Sequence, residues 1–158
     1  MLNLDPSKYN VPLVSSQLDR LSAYCYSHNL DFKAIENDFM NREQCADFER
    51  EMSIYSSESP SLIADYYATT KMYLYELTMH ECTYYYLHLY KSIAQFVKNI
   101  GARKVLDYGG GVGGLTLHLN INGIDCDYSD IAGETWNYAS HRFKEARITP
   151  KMITPGAL

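Results

Sequence analysis

The chain of 158 residues is 46% hydrophobic and 21% charged, which suits one folded domain with a core and excludes a disordered protein. A formal net charge of −5 and 14 scattered Lys and Arg residues disfavour a nucleic-acid partner, because such partners are bound largely through phosphate charge. No stretch approaches the ~20 apolar residues of a membrane span, and the first residues lack a signal-peptide pattern, so we expect a cytoplasmic protein without membrane contact.

Residues 1–100 show helical periodicity and form a predicted all-helical region. A first helix carries one apolar stripe and should end near Asn29. The residues of that stripe are Val14, Leu18, Leu21 and Cys25. Asp31 is placed to cap a short second helix. The apolar residues of the second helix are Phe32, Ile35 and Phe39.

Two more helices are predicted before residue 70. Asn41 and Gln44 resemble a capping box that opens a third helix. Its inward residues would be Cys45, Phe48, Met52 and Tyr55. Ser59 and Pro60 supply the cap and the first-turn proline of a fourth helix.

The most regular apolar pattern lies between residues 70 and 100, which we predict to form one long helix that Gly101 ends. Its apolar residues are Tyr75, Met79, Cys82, Tyr86, Leu89, Ile93, Phe96 and Ile100. Eight of the 15 tyrosines lie between Tyr66 and Tyr90. Tyr75 and Tyr86 should pack in the core, because they lie on the stripe. The remaining candidates for lining a ligand pocket are Tyr66, Tyr67, Tyr84 and Tyr85.

The cysteines and histidines do not form a recognisable metal or catalytic motif. The four cysteines are widely separated and include no C-x-x-C pair, so we expect buried thiols. His80 and His88 are eight residues apart rather than the four of H-E-x-x-H, so a zinc-protease site is not predicted.

A change of composition at Gly101 introduces residues 104–114, which read KVLDYGGGVGG. Val105 and Leu106 predict a short buried strand, the glycines predict a turn, and the leucines that follow predict a helix ended by Gly123. A second strand is predicted where Ile124, Cys126 and Tyr128 alternate with Asp125, Asp127 and Ser129. A second helix is predicted from Trp136, Ala139, Phe143 and Ala146.

This β-α-β-α order predicts a parallel sheet with a ligand outside the carboxyl ends of its strands. Because the second strand has one polar face, we expect it at the margin of the sheet. Pro150 and Pro155 favour an edge strand or an irregular tail where a third strand would run. The first strand would then keep an unpaired edge, where we expect contacts with a partner chain, a second copy or further chain.

Two classes of ligand compete for the glycine turn. Gly109, Gly111 and Gly114 fit the G-x-G-x-x-G pattern of dinucleotide sites, and Asp130 follows the first glycine at the distance of a ribose-binding residue. Asp107 favours the other class, because a carboxylate ahead of the turn would repel a pyrophosphate and attract a cationic ligand.

The segment VLDYGGGVGGLTLHLNINGIDCDYSDIAGETWNYASHRFKE resembles the first half of a class I S-adenosylmethionine-dependent methyltransferase. The resemblance covers roughly residues 103–147 and includes that family's glycine signature, from Val105 to Gly113, and its acidic residue after strand two, Asp130. It implies an α/β fold with a partial Rossmann-like parallel sheet, limited to its first strands, in residues 101–158. Residues 1–100 would be a helical region on the side of the methyl acceptor.

The resemblance also implies the roles of individual residues toward the cofactor S-adenosyl-L-methionine. Gly109, Gly110, Gly111 and Gly113 would let the backbone approach the methionine part of the cofactor. Asp107 would attract the amino group, Asp130 would accept hydrogen bonds from the ribose hydroxyls, and Ile131 would flank the adenine. The alternative for Asp130 is a helix N-cap.

The implied activity is methyl transfer to an acceptor that the sequence does not identify. Members of the family continue through several more strands than this sequence shows. Three explanations stay open, namely a fragment of a longer enzyme, a sheet completed by a partner chain, and a reduced domain that binds the cofactor without turnover. The alternatives to an enzyme of this class are a non-catalytic S-adenosylmethionine-binding or scaffold protein and a nicotinamide-dependent oxidoreductase.

Overall fold

A computed structural model describes residues 6–44, 51, 53 and 59–155. Within them, five α-helices precede the glycines, namely α1 (Val11–Ser27), α2 (Phe32–Met40), α3 (Pro60–Thr69), α4 (Met72–Glu81) and α5 (Tyr84–Asn99). Strands and helices then alternate through β1 (Val105–Tyr108), α6 (Gly114–Ile121), β2 (Cys126–Ser129), α7 (Glu134–Glu145) and β3 (Met152–Ile153). The described residues therefore form a mixed α/β protein, with five of its seven α-helices in the first two thirds of the chain.

The predicted starts and ends of several helices are confirmed. α1 ends at Ser27, and Asn29 follows in the left-handed conformation with φ 56°. The Asp31 side chain accepts a hydrogen bond of 3.0 Å from Ala34 N at the start of α2. α3 begins at Pro60 directly after Ser59. The inward residues predicted for a helix after Asn41 lie outside the described residues, and Arg42–Gln44 form a short 3₁₀ turn.

The single long helix predicted between residues 70 and 100 is wrong, because the chain breaks into α4 and α5 at Thr83. The Thr83 backbone is extended, and its side chain accepts a hydrogen bond of 3.3 Å from Tyr86 N. Just before it, Cys82 O accepts a hydrogen bond of 3.0 Å from Asn10 N, and Tyr9 pairs with Thr83 in an isolated bridge. Contacts with a distant segment thus interrupt a helix that the local periodicity favours.

The break also changes which side of α5 is buried. Phe96 and Ile100, predicted to face inward, are 61% and 59% exposed. The buried residues of α5 are instead Ala94 and Val97. The apolar stripe predicted from the sequence therefore holds in α4, where Tyr75 and Met79 are buried, and fails along the second half of α5.

The largest buried cluster joins the helical region to the α/β region. It contains Leu21, Tyr24, Cys25, Ile35, Phe39, Met72, Leu74, Tyr75, Met79, Val112 and Tyr138. Val112 lies among the glycines and Tyr138 lies in α7, so α1, α2 and α4 pack directly against the segment that turns from β1 into α6. Three cysteines, Cys25, Cys82 and Cys126, are buried free thiols, as predicted.

The three strands form a parallel sheet in the order β1-β2-β3, with Asp107 beside Tyr128 and Tyr108 beside Ser129. The prediction that the second strand lies at the margin is wrong, because β2 is the middle strand and all four of its residues are buried. The polar side chain of Asp127 is accommodated there by Lys151 N at 3.1 Å and by Lys104 Nζ at 2.9 Å.

The two edges of this sheet are formed by the strands that the sequence placed there, β3 and β1. β3 is a two-residue edge strand between Pro150 and Pro155, and β1 pairs with β2 and with no other described strand. Leu106 and Tyr108, which alternate with Asp107 along β1, are 39% and 66% exposed. Among the helices of the described ranges, none is both long and apolar enough to cross a bilayer.

The break at Thr83 generates a prediction for stability. Thr83→Ala removes the oxygen that caps α5, so the free energy of unfolding in urea should fall by about 1 kcal/mol. Thr83→Ser keeps the oxygen and should stay close to wild type. Equal stability of all three proteins would contradict the capping role.

Candidate functional site

Two cavities flank the loop Gly109–Gly113, called here the glycine loop, at the carboxyl ends of β1 and β2. The large cavity has a volume of about 820 Å³ and lies between α3, α4, the glycine loop and the residues that follow β2 and β3. The small cavity has a volume of about 240 Å³ and lies between α4, α5 and the glycine loop. Leu77, Gly109 and Gly111 line both cavities, so the two are neighbours across one wall.

The glycines of the loop serve two different purposes. Gly109 has φ 74° and nothing within 4 Å of the position of a Cβ, so its conformation rather than its size requires glycine. A Cβ at Gly110 would lie 2.7 Å from the Tyr128 ring, and one at Gly113 would lie 2.7 Å from the Phe143 ring. Gly110 and Gly113 thus make room for the protein's own side chains, and Gly113 lines neither cavity.

Asp107 is the buried carboxylate of the small cavity. It is 9% exposed, and its Oδ2 accepts hydrogen bonds from Thr116 N at 3.1 Å and from Thr116 Oγ1 at 2.8 Å. Burial raises the pKa of Asp107 above its ordinary value, the bonds from Thr116 oppose that rise, and the negative charges of Asp130 and Glu81 add to it. Within the described chain no donor reaches Oδ1, so this oxygen is available to a ligand.

Asp130 is the carboxylate of the large cavity and fixes the glycine loop. Its Oδ2 accepts a hydrogen bond of 2.5 Å from Gly111 N, and its Oδ1 accepts one of 2.6 Å from Ile131 N. Burial raises the pKa of Asp130, while these two backbone bonds lower it. Asp130 is not a helix N-cap, because Gly133 occupies that position of α7. Each oxygen keeps a second lone pair for a ligand hydroxyl.

The remaining predicted residue, Ile131, lines the large cavity beside Asp130. The structure therefore brings Asp130, Ile131, Gly109 and Gly111 together on the large cavity, and Asp107, Gly109, Gly110 and Gly111 together on the small one.

Tyr128 is a site residue that sequence reasoning missed. Its hydroxyl donates a hydrogen bond of 2.7 Å to Gly111 O, while Ser129 O accepts bonds from Gly109 N at 2.8 Å and from Gly110 N at 3.1 Å. The alternating pattern of β2 predicted a core position for Tyr128 but carried no signal for this bond, which spans 17 residues of sequence.

The charges along both cavities favour a cation. Asp65 and Asp130 line the large cavity, and Asp107 and Glu81 line the small one. No Lys or Arg is among the described residues that line either cavity. Glu81 is paired with Arg142, which lines neither cavity, so the negative charge of the lining comes mainly from Asp65, Asp107 and Asp130. These carboxylates would repel an anionic diphosphate and attract an ammonium or sulfonium group.

The tyrosine predictions are confirmed in part. Tyr67 lines the large cavity, Tyr66 is buried, and Tyr84 and Tyr85 are exposed and line neither cavity. Tyr73 of α4 also lines the large cavity, and its ring contacts that of Tyr67 with centroids 5.4 Å apart. The aromatic side of the cavity thus comes from two helices rather than from one tyrosine-rich helix.

Comparison of the chain with protein-family models, with curated proteins and with solved structures found no match. The geometry and charge of the two cavities are therefore the basis for a function.

The burial of Asp107 generates a prediction for the ligand-free protein. Because its pKa is raised in the fold, the native state holds the proton more tightly, and the contribution of Asp107 to stability falls as pH rises above its ordinary 3.8. Asp107→Asn keeps an acceptor for Thr116 without the charge. At pH 7 it should raise the free energy of unfolding by about 1 kcal/mol, the scale of desolvating one buried polar group.

The advantage of Asp107→Asn over wild type should shrink as the pH is lowered toward 4, where wild-type Asp107 takes up its proton. Urea unfolding at several pH values measures this difference. A variant that is less stable than wild type at pH 7 would show that the Asp107 charge supports the fold.

Proposed function

We propose that the protein is an S-adenosylmethionine-dependent methyltransferase, or the cofactor-binding part of one, with a partial Rossmann-like sheet. The observation that carries the proposal is the arrangement of Asp107 and Asp130. Asp107, a buried carboxylate of β1, and Asp130, a partly buried carboxylate directly after the neighbouring parallel strand β2, lie on the two cavities beside the glycine loop. The described lining of these cavities has no Lys or Arg. Such a site suits a nucleoside that carries positive charge.

The residues present fit this cofactor by their chemistry. Asp107 Oδ1 would accept the ammonium group, and the exposed backbone at Gly109 would lie against the methionine part. Asp130 would accept both ribose hydroxyls, since a carboxylate offers two oxygens to a vicinal diol, and Ile131 would flank the adenine. When bound, the cofactor supplies a methyl group activated by a sulfonium.

The large cavity supports a place for the acceptor as well. Its volume of about 820 Å³ is within the range of ~300–1,000 Å³ typical of small-molecule sites. Tyr67, Tyr73 and Tyr108 give it an aromatic wall that is apolar in body and polar at the hydroxyls. We propose that these side chains orient the acceptor, so that catalysis comes mainly from holding the two reactants close and aligned.

Two further properties belong to the proposal. The buried free thiols of Cys25, Cys82 and Cys126 support a reducing, cytoplasmic location. The edge of β1 that pairs with no other described strand supports pairing with additional chain or with a partner, including a second copy.

Calorimetry with S-adenosylhomocysteine tests the cofactor site. Wild type should bind it, and Asp107→Asn should bind it tenfold or more weakly, because a charge-assisted hydrogen bond to the amino group is worth ~1.5–3 kcal/mol. Asp125→Asn, which removes an exposed carboxylate that lines neither cavity, is the matched control. Binding of NAD in place of S-adenosylhomocysteine would instead support the oxidoreductase.

Methyl transfer distinguishes an enzyme from a protein that only binds the cofactor. A small-molecule cell extract incubated with methyl-labelled S-adenosylmethionine should gain labelled product with wild-type protein, and Asp130→Ala should reduce the rate at least tenfold, since it removes the ribose acceptor and the bond to Gly111 N. Tight cofactor binding without transfer to small molecules or to proteins would favour the non-catalytic alternative.

A further inference from the structure

Arg142 of α7 also contacts the glycine loop. Its Nη1 donates a hydrogen bond of 2.5 Å to Val112 O, which lies inside the loop between Gly111 and Gly113. Both of those glycines have a positive φ, and Val112 itself is 1% exposed. A buried carbonyl oxygen needs a hydrogen-bond donor, and the Arg142 guanidinium is that donor for Val112 O, between two glycines with positive φ.

Glu81 of α4 sets the orientation of Arg142. Arg142 Nη2 donates to Glu81 Oε2 at 2.8 Å and Arg142 Nη1 donates to Glu81 Oε1 at 3.2 Å, with both side chains at most 12% exposed. This forked pairing fixes the plane of the guanidinium, which an ammonium could not reproduce.

The carboxylate of Glu81 also lies against the start of α6. A Cβ at Gly114 would overlap the Glu81 carboxylate, so the glycine that opens α6 leaves the space that this side chain fills. The first turn of a helix favours negative charge, which adds to the attraction of Arg142. Glu81 therefore contacts both the residue that holds the loop and the helix that the loop enters.

We propose that Arg142, oriented by Glu81, is a positioning residue that holds the glycine loop in the conformation that receives the cofactor. The inference rests on the proposed function and deepens it, because it makes the helical region part of the cofactor site. Asp130 and Tyr128 hold Gly111 from the sheet, and the Glu81–Arg142 pair holds Val112 from the helices. Neither Arg142 nor Glu81 needs to touch the reacting atoms.

The ligand-free protein gives the first test. Removing Arg142 alone would leave Glu81 buried and unpaired and risks unfolding, so the test uses the double variant Glu81→Gln/Arg142→Gln. Nitrogen-15 amide spectra should show shifted signals for Gly111 and Gly113 and faster hydrogen exchange there. Unchanged signals at these glycines in a folded double variant would overturn the proposal.

A matched control separates positioning from general stability. Arg42 is also a partly buried arginine that pairs with two carboxylates, Glu51 and Glu76, but it lies in the helical region and lines neither cavity. The matched double variant Glu51→Gln/Arg42→Gln should lower Tm while the loop glycine signals stay in place. If it shifts those signals as much as Glu81→Gln/Arg142→Gln does, Arg142 has no special role and the proposal is wrong.

Calorimetry with S-adenosylhomocysteine gives the second test. Arg142→Lys keeps one positive charge but cannot bond Glu81 twice and Val112 at once, so it should stay folded and bind at least tenfold more weakly. The double variant should lose at least as much. Wild-type affinity in both variants would overturn the positioning role. Absence of binding by wild type would refute the proposed function, and the amide spectra would then decide separately whether Arg142 holds the loop.

Discussion

The site depends on where the backbone groups of the glycine loop find their hydrogen-bond partners. A run of glycines has no side chains to bury and loses more conformational freedom than any other sequence, so contacts from outside must hold it. The end of β2 supplies three of these in succession, through the side chain of Tyr128, the carbonyl of Ser129 and the side chain of Asp130. The loop therefore takes its shape only when β1 and β2 are paired. The residues at the end of β2 have two roles, because they belong to the sheet and also hydrogen-bond the backbone of the glycine loop.

The two carboxylates differ in how well the fold explains them. Asp130 receives two backbone N–H bonds on separate oxygens, which an amide side chain could not accept, so its charge has a structural reason. Asp107 receives both of its bonds on one oxygen from Thr116, and an asparagine would serve that geometry equally well. Burial and the negative charge of Asp130 raise the pKa of Asp107, so they make its ionised form less favourable. A charge that the fold does not need, kept at a cost beside a cavity, supports the proposal of a positively charged ligand.

The sequence predicted the local elements well and the long-range contacts poorly. The strand at Val105, the turn and the helix that ends before Gly123 were predicted because glycine conformation and apolar spacing act over a few residues. The break at Thr83 was missed because its cause, the pairing of Cys82 with Asn10, is far away in sequence. The same reason hid Arg142, whose partners lie 30 and 61 residues away. The two predicted carboxylates were found from their spacing along the chain, because Asp107 stands just ahead of the glycine turn and Asp130 follows the first glycine at a fixed interval.

α4 shows why one apolar stripe was not enough to locate the site. Tyr75 and Met79 form the face that packs into the core, and this face produced the periodic signal in the sequence. A second face of α4 is formed by residues that are also four apart, namely Tyr73, Leu77 and Glu81. Tyr73 lines the large cavity, Leu77 lies against Gly111 of the glycine loop, and Glu81 accepts hydrogen bonds from Arg142. When both faces of a helix make contacts, the difference in hydrophobicity between them is small. The sequence pattern of such a helix does not distinguish the face that packs in the core from the face that lines a site. Because α4 is a wall of both cavities, a rotation of α4 about its axis would change the shapes of both cavities together. The packing of α1 and α2 against the core face of α4 prevents such a rotation.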